Sequence, residues 1–154
     1  MHTRSRFVCV AGAYLGVAAA CTSEPTAPPA EVVSEVGPIV TFDRVSYSWT
    51  VNDSARWLMA NPHGVPAFYY PGNHAFLEHY VGDTWEPIGL YGGIEAEPRR
   101  LAVSDSLRDN LSLTSSIFSV SGWYRLHANL YRDSALMQPW PVGNQVSPAV
   151  WVGP

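Results

Sequence analysis

The sequence predicts an all-β protein whose strands pack as an antiparallel sandwich. Short runs of β-branched and aromatic residues recur between turn signals, at the spacing expected of a sandwich rather than of alternating strands and helices. The clearest strand, residues 124–130, alternates apolar and polar residues with the period of two typical of a sheet with one solvated face. No amphipathic helix of useful length competes with this interpretation.

The first 20 residues have the pattern of a cleaved export signal. Arg4 and Arg6 precede an apolar run over residues 7–20, which is shorter than the roughly 20 residues that span a bilayer. Small residues end this run directly before Cys21. The arrangement resembles the lipobox of bacterial lipoproteins, in which the cysteine is acylated and begins the mature chain, although that family prefers leucine where Ala18 stands. The same small residues also satisfy the rule for a soluble export signal, so secretion to the periplasm is the alternative.

The cysteine count favours the lipoprotein. The chain has two cysteines, and Cys9 lies in the segment to be removed, so Cys21 would be alone in the mature protein. A single cysteine cannot form an internal disulfide, and acylation protects its thiol. Two or three acyl chains on Cys21 give stable anchoring to a membrane. We therefore predict a lipid-anchored protein of the bacterial cell envelope, in the outer membrane if the cell has one, because Thr22 rather than aspartate follows the cysteine.

Residues 21–38 predict a flexible tether. They contain four prolines and three glutamates but no aromatic residue, so they cannot bury enough apolar surface to fold alone. The remaining residues, 39–154, are enough for one domain with a real core.

Ten segments of this domain are candidate strands, separated by turn residues such as Pro-Gly and Gly-Asp. They are 39–42, 46–51, 57–60, 67–70, 76–80, 85–88, 99–103, 107–114, 123–131 and 146–152.

Four stretches follow one another in a recognisable order: "ANPHGVPAFYY", "FLEHYVGDTWEPI", "SGWYRLHANLY" and "NQVSPAVWV". This order resembles a group of small bacterial envelope proteins with an immunoglobulin-like sandwich and, more distantly, the proteinase-inhibitor domain known from bacilli. The resemblance implies an immunoglobulin-like antiparallel sandwich of about seven to nine strands. The chain departs from the group at residues 101–106 and lacks the Cys-Gly pair of many members. The matching positions are Asn61, Gly64, Pro66, Leu77, Glu78, Gly82, Trp85, Gly122, Tyr124, Leu126, Ser147 and Val152.

The charge distribution argues against nucleic acid as a partner. The nine basic residues are all arginine, they face 13 acidic residues, and the formal net charge is −4. No basic cluster is larger than Arg99-Arg100, whereas nucleic-acid-binding domains carry a basic patch or stripe.

The sequence predicts a non-catalytic protein with no metal and no cofactor. His74 and His79 are five residues apart, which on a strand places them on opposite faces, and no His-Glu-x-x-His or Cys-x-x-Cys pattern is present. There is no Gly-x-Ser-x-Gly elbow for a serine nucleophile. Glu95 and Glu97, beside a Gly-Gly turn, are interpreted as loop carboxylates, and His63 and His127 as exposed turn and strand residues.

Aromatic residues provide the one indication of a binding site. Six tryptophans and eight tyrosines exceed what a sandwich of this size needs for its core, and exposed rings of these types suit recognition of proteins or sugars. The predicted binding residues are Trp123, Met137, Trp140 and Trp151, with the loop at residues 132–141 as the first place to look. Three functions therefore compete: a binding module for a protein partner or a structural envelope protein, a carbohydrate-binding module, and an inhibitor-like domain implied by the more distant resemblance.

Overall fold

A computed structural model describes residues 26–34, 36–48, 54–91, 97–112, 118 and 120–154. The predicted signal segment and Cys21 lie outside these residues. The described residues form ten strands: β1 (Gly37–Phe42), β2 (Ser46–Ser48), β3 (Ser54–His63), β4 (Ala67–Tyr69), β5 (Ala75–Val81), β6 (Thr84–Tyr91), β7 (Arg99–Leu101), β8 (Ser106–Ser112), β9 (Gly122–Ala128) and β10 (Val150–Gly153). A 3-10 turn (Pro71–Asn73) precedes β5, and a short helix α1 (Val142–Gln145) precedes β10.

The strands form a sandwich of two main sheets. One sheet has three strands in the order β1-β3-β8, and the other has five in the order β2-β10-β9-β5-β6. Strands β4 and β7 make a separate two-stranded ladder. The prediction of an all-β sandwich is confirmed.

Buried side chains, which alternate with more exposed ones along the strands, form the core between the sheets. In β3 the residues Ala55, Trp57 and Met59 are buried, while the residues between them are partly or fully exposed. In β9 the buried residues Tyr124 and Leu126 point to the same core. Because side chains of a strand point alternately to opposite faces, each strand places its other set on the outside of the sandwich.

Three features are typical of an immunoglobulin-like sandwich. The first part of the chain contributes to both sheets, since β1 pairs with β3 while β2 pairs with β10. The five-stranded sheet has central strands β9 and β5 flanked by β10 and β6. Tyr124, near the start of β9, donates its hydroxyl to the carbonyl of Val120 at 2.5 Å, which is the tyrosine corner found in such domains.

The structure corrects two details of the predicted fold. The described residues contain ten strands rather than seven to nine. The sandwich is also not wholly antiparallel, because β2 and β10 run parallel. The two strands meet in parallel because the chain crosses between the sheets after β1 instead of turning back on itself.

The candidate strands agree with the observed ones except at their ends. The largest difference lies at residues 146–149, which were predicted as the start of the last strand. Helix α1 ends just before them, and Pro148, which has no N–H to donate, lies ahead of the strand that begins at Val150. The predicted ends at residues 49–51 and 113–114 lie outside the described residues.

The β5–β6 hairpin turns on two residues with positive φ, Gly82 at 53° and Asp83 at 70°. This pair of left-handed conformations matches a two-residue hairpin turn whose twist suits the flanking strands. Val81 and Thr84 pair directly on either side of the turn. The turn fixes the register of β6 on β5 and thereby positions Trp85.

The structure corrects the predicted tether. Strand β1 begins at Gly37 rather than after residue 38. Residues 26–34 form no helix or strand, and several of them lie against the sandwich, where Glu31 meets Arg125. Asn144 is fully buried and bonds to this part of the chain through Ser34 and the carbonyl of Pro38. Part of the predicted tether therefore contacts the domain, because α1 offers a buried amide that Ser34 and Pro38 can satisfy.

Candidate binding face

The outer face of the five-stranded sheet carries the most unusual set of side chains. Since Tyr124 and Leu126 of β9 point into the core, Trp123, Arg125 and His127 point outward. The register then places partners from the neighbouring strands beside them on the same face, with Arg125 opposite Glu78.

Four aromatic residues cross this face from one strand to the next, and we call them the aromatic row: Trp151, Trp123, Tyr80 and Trp85. Trp151 of β10 pairs with Trp123 of β9, and their ring centroids are 5.5 Å apart with the rings at 71°. Tyr80 of β5 pairs with Trp85 of β6 at 5.0 Å and 53°. The β5–β9 register, continued by one residue beyond His79 and Tyr124, brings Tyr80 opposite Trp123. All four residues are partly exposed, so the row forms a continuous surface.

A buried ion pair lies next to the row. The guanidinium of Arg125 donates through Nε to Glu78, and both side chains are more than nine-tenths buried. His127 Nδ1 lies 3.2 Å from the other carboxylate oxygen of Glu78. Arg125 also stacks over the ring of Trp85 at 4.3 Å, which joins the ion pair to the row.

The environment of Glu78 keeps its carboxylate charged. Burial by itself raises the pKa of Glu78, but the hydrogen bonds from His127 and Arg125, together with their charges, outweigh burial and hold the pKa below its usual value. Glu78 and Arg125 are thus a charged pair buried in the outer face of the sheet. Most of their hydrogen-bonding groups already have partners within the protein.

Residues 27–33 of the N-terminal segment border this face. Glu31 accepts a hydrogen bond from Nη1 of Arg125 at 3.1 Å. Between the segment and the sandwich lies a cavity of about 500 Å³, which we call the groove. Its wall on the sandwich side includes Trp85, Arg125 and residues 146–149.

The structure brings together two of the four predicted binding residues. Trp123 and Trp151 are neighbours in the aromatic row. Met137 lies apart from them in the loop before α1, where its side chain is 78% exposed.

Trp140, the fourth, is not an exposed ring. It is 5% exposed and belongs to the core cluster. Its indole N–H donates to the carbonyl of Tyr131 at 3.1 Å, and its ring covers Gly37 so closely that a Cβ there would lie 2.5 Å from it. The expectation that this ring is offered to a partner is wrong, because the loop folds back and buries it.

The histidines also differ from their predicted places. His74 lies before β5 begins, is 7% exposed, and packs with Trp57 and Tyr69. His79 stacks on Tyr124 at 4.5 Å on the core side of the sheet. The opposite faces predicted from strand spacing are therefore not observed, since only one of the two lies in a strand. His63 is exposed, whereas His127 stacks on Phe76 at 4.5 Å.

Potential chemical sites are sparse within the described part of the chain. It contains no group of three or more His, Cys, Asp or Glu side chains placed to hold a metal ion. Glu97 is exposed, and Glu95 lies outside the described residues. None of the described helices is both long and apolar enough to cross a bilayer.

The sequence did not predict the Glu78–Arg125 pair or two rings of the row, Tyr80 and Trp85. In the sequence, Glu78 and Trp85 are only matching positions of the resemblance, and Arg125 is one of the polar residues in the strand predicted over 124–130. The strand register could have predicted part of this arrangement. A two-residue turn at Gly82 and Asp83 places Trp85 opposite Tyr80.

The sequence matches no protein-family model and no curated protein.

Proposed function

We propose that this chain is a non-catalytic, lipid-anchored protein of the bacterial cell envelope whose β-sandwich binds a protein partner through the aromatic row. The observation that carries the proposal is the row itself, in which four partly exposed aromatic rings lie on four adjacent strands of one sheet. Single exposed aromatic residues are ordinary, whereas a contiguous group is typical of an interaction surface.

The ring geometry favours a protein over a glycan. Neighbouring rings in the row are inclined at 53° and 71°, so they present alternating faces and edges rather than one flat platform. Such a surface fits side chains of complementary shape, and tryptophan and tyrosine supply much of the binding energy in protein interfaces. Arg125, Glu78 and His127 beside the row are already paired with one another, which leaves them little capacity to bind sugar hydroxyls.

The lipid anchor is supported by the sequence around Cys21. We expect Cys21→Ser to move the protein from the membrane fraction to the soluble fraction of its own cells, because the acyl chains would have no attachment site. Fractionation followed by intact-mass measurement of the wild type checks this, with acyl chains expected on the N-terminal residue. A wild type whose N-terminal residue carries no lipid would contradict the anchor.

We expect Trp123→Ala to weaken binding of the partner by about 30-fold, since a central tryptophan of an interface contributes about 2 kcal/mol or more. The soluble chain from Thr22 would be used to capture proteins from envelope extract of its own organism, and the captured protein would then be purified and titrated. Trp123 lies on the outside of the sheet, so its replacement leaves the core residues of β9 in place; the melting temperature of each variant checks this.

Two matched variants sharpen the experiment. Tyr70→Ala removes an exposed ring outside the row, and Met137→Ala tests the loop that the sequence predicted; both are expected to bind like the wild type. Loss of binding in Met137→Ala alone would move the site to the loop. A titration in which Trp123→Ala loses affinity for a glycan, and for no protein, would replace the protein partner with a carbohydrate.

A further inference from the structure

The groove beneath the N-terminal segment has the character of a binding site for an extended peptide. At about 500 Å³ it is within the usual size range of ligand sites. Most of its lining is apolar, and one buried cation, Arg125, faces it at the edge of the Trp85 ring. The apolar residues on the sandwich side are Ile39, Val40, Trp85, Val146, Pro148 and Ala149.

The chain's own residues 26–31, Thr-Ala-Pro-Pro-Ala-Glu, show which ligand chemistry fits. Ala27, Pro28 and Pro29 line the groove, and Pro28 is buried. Glu31 then places its carboxylate 3.1 Å from Arg125. The groove thus already holds an extended, proline-containing segment that ends in an acid.

This resident segment is held by few strong interactions. It contributes no helix or strand to the fold, and the Glu31 side chain is 41% exposed. Its two hydrogen bonds between Ser34 and Asn144 are both long, at 3.4 Å. Val32 is 89% exposed. A cavity also remains beneath the segment, so its side chains do not fill the space available.

We propose that the groove is a docking site for an extended, proline-rich acidic peptide of a partner protein, and that residues 26–31 are its intramolecular competitor. Proline-rich segments are already extended before binding, so they lose little conformational entropy in an aromatic-lined groove. A carboxylate supplies the acceptor that Arg125 loses when Glu31 leaves. The groove shares Trp85 with the aromatic row, but it does not require a partner bound to the row.

The test adds a competitor to the intact soluble chain from Thr22, which retains every contact described here. The probe is a labelled synthetic peptide with the sequence of residues 22–31, TSEPTAPPAE, followed by fluorescence anisotropy. A second peptide carries glutamine in place of its last glutamate. The probe ends before Val32, so it does not need the space next to Gly143.

Glu31 and Gly143 themselves line the groove, but their replacement loosens the resident segment and leaves Arg125 and the apolar residues on the sandwich side unchanged. Glu31→Gln removes its carboxylate. Gly143→Ala adds a Cβ that would lie 1.9 Å from the carbonyl oxygen of Val32, and the three nearest atoms all belong to Val32 and Val33. The matched controls are Glu97→Gln, an exposed carboxylate that does not line the groove, and Gly89→Ala, where nothing lies within 4 Å of the added Cβ.

We expect the apparent Kd of the probe to fall about two- to fivefold in Glu31→Gln and about fivefold or more in Gly143→Ala, because each variant raises the fraction of open groove. The controls should match the wild type, and the glutamine peptide should bind more weakly than the glutamate peptide to both variants. Equal binding of the probe by Gly143→Ala and Gly89→Ala, or equal binding of the two peptides, would overturn the proposal. Trp123→Ala is expected to bind the probe like the wild type, because Trp123 does not line the groove.

Discussion

Replacing Arg125 with methionine is expected to lower the free energy of unfolding by about 3–5 kcal/mol at neutral pH, the usual cost of removing one partner from a buried ion pair. The carboxylate of Glu78 is more than nine-tenths buried and accepts a hydrogen bond from Nε of Arg125. Methionine keeps an apolar chain of similar reach against Trp85 but supplies neither charge nor donor. Glu78 would then keep only His127 as a partner.

The loss of stability in Arg125→Met is expected to become smaller as the pH falls. In the wild type the pKa of Glu78 is below its ordinary value of 4.5, so this group stabilises the fold above that value. Its contribution disappears as the pH falls through the lowered pKa. Without Arg125 its hydrogen bond and its charge no longer lower the pKa of Glu78, so the folded variant takes up a proton at a higher pH than the folded wild type. The stability gap between variant and wild type should therefore narrow as the pH falls toward 4.

Urea unfolding of both proteins at several pH values measures this gap. The double variant Arg125→Met with Glu78→Gln is the control, because it removes the buried charge and should recover part of the lost stability at neutral pH. A gap that stays constant from neutral pH to pH 4, with no recovery in the double variant, would show that Arg125 stabilises the sheet through packing alone.

The sandwich could be predicted from the sequence because strand formation here depends on local patterns. In β9 the apolar Tyr124 and Leu126 alternate with Arg125 and His127, and this alternation is visible without a structure. The parallel contact of β2 with β10 was not visible in the same way. It depends on the chain crossing between sheets after β1, and two three- or four-residue strands carry too little pattern to reveal their partners.

The candidate site was only half predictable for a related reason. Trp123 and Trp151 were chosen as aromatic residues close to loops, but their contact follows from the register of β9 with β10. Tyr80 and Trp85 join them only when β5 and β6 are aligned on the same sheet. A one-residue change in register would place such rings on the other face, so composition alone cannot assemble the row.

Composition alone did not predict that part of the tether contacts the domain. Residues 26–34 have too little apolar surface to fold alone, and they form no regular structure. They nevertheless lie on a surface prepared by other parts of the chain, where Gly143 leaves room for the backbone of Val32 and Arg125 meets Glu31. A soluble form beginning near Val36 would remove this contact, so binding experiments need a chain that begins before Thr26.

Replacing Trp140 with alanine is expected to lower the free energy of unfolding by about 3–5 kcal/mol, as for other large aromatic residues in cores. The side chain is 5% exposed, covers Gly37, and donates its N–H to the carbonyl of Tyr131. Its removal would leave a cavity next to β1, and the carbonyl of Tyr131 would keep only the hydrogen bond from the backbone N–H of Phe68. Denaturant unfolding at pH 7 measures the loss.

Met137→Ala is the matched comparison, since this residue lies three positions earlier in the same loop and is 78% exposed. A surface substitution of this kind is expected to change the stability by no more than about 0.5 kcal/mol. If both variants were equally stable, the loop would not hold Trp140 in the core. The large difference that we expect has a practical consequence: loss of partner binding in Trp140→Ala would report unfolding, so the binding face has to be tested at Trp123.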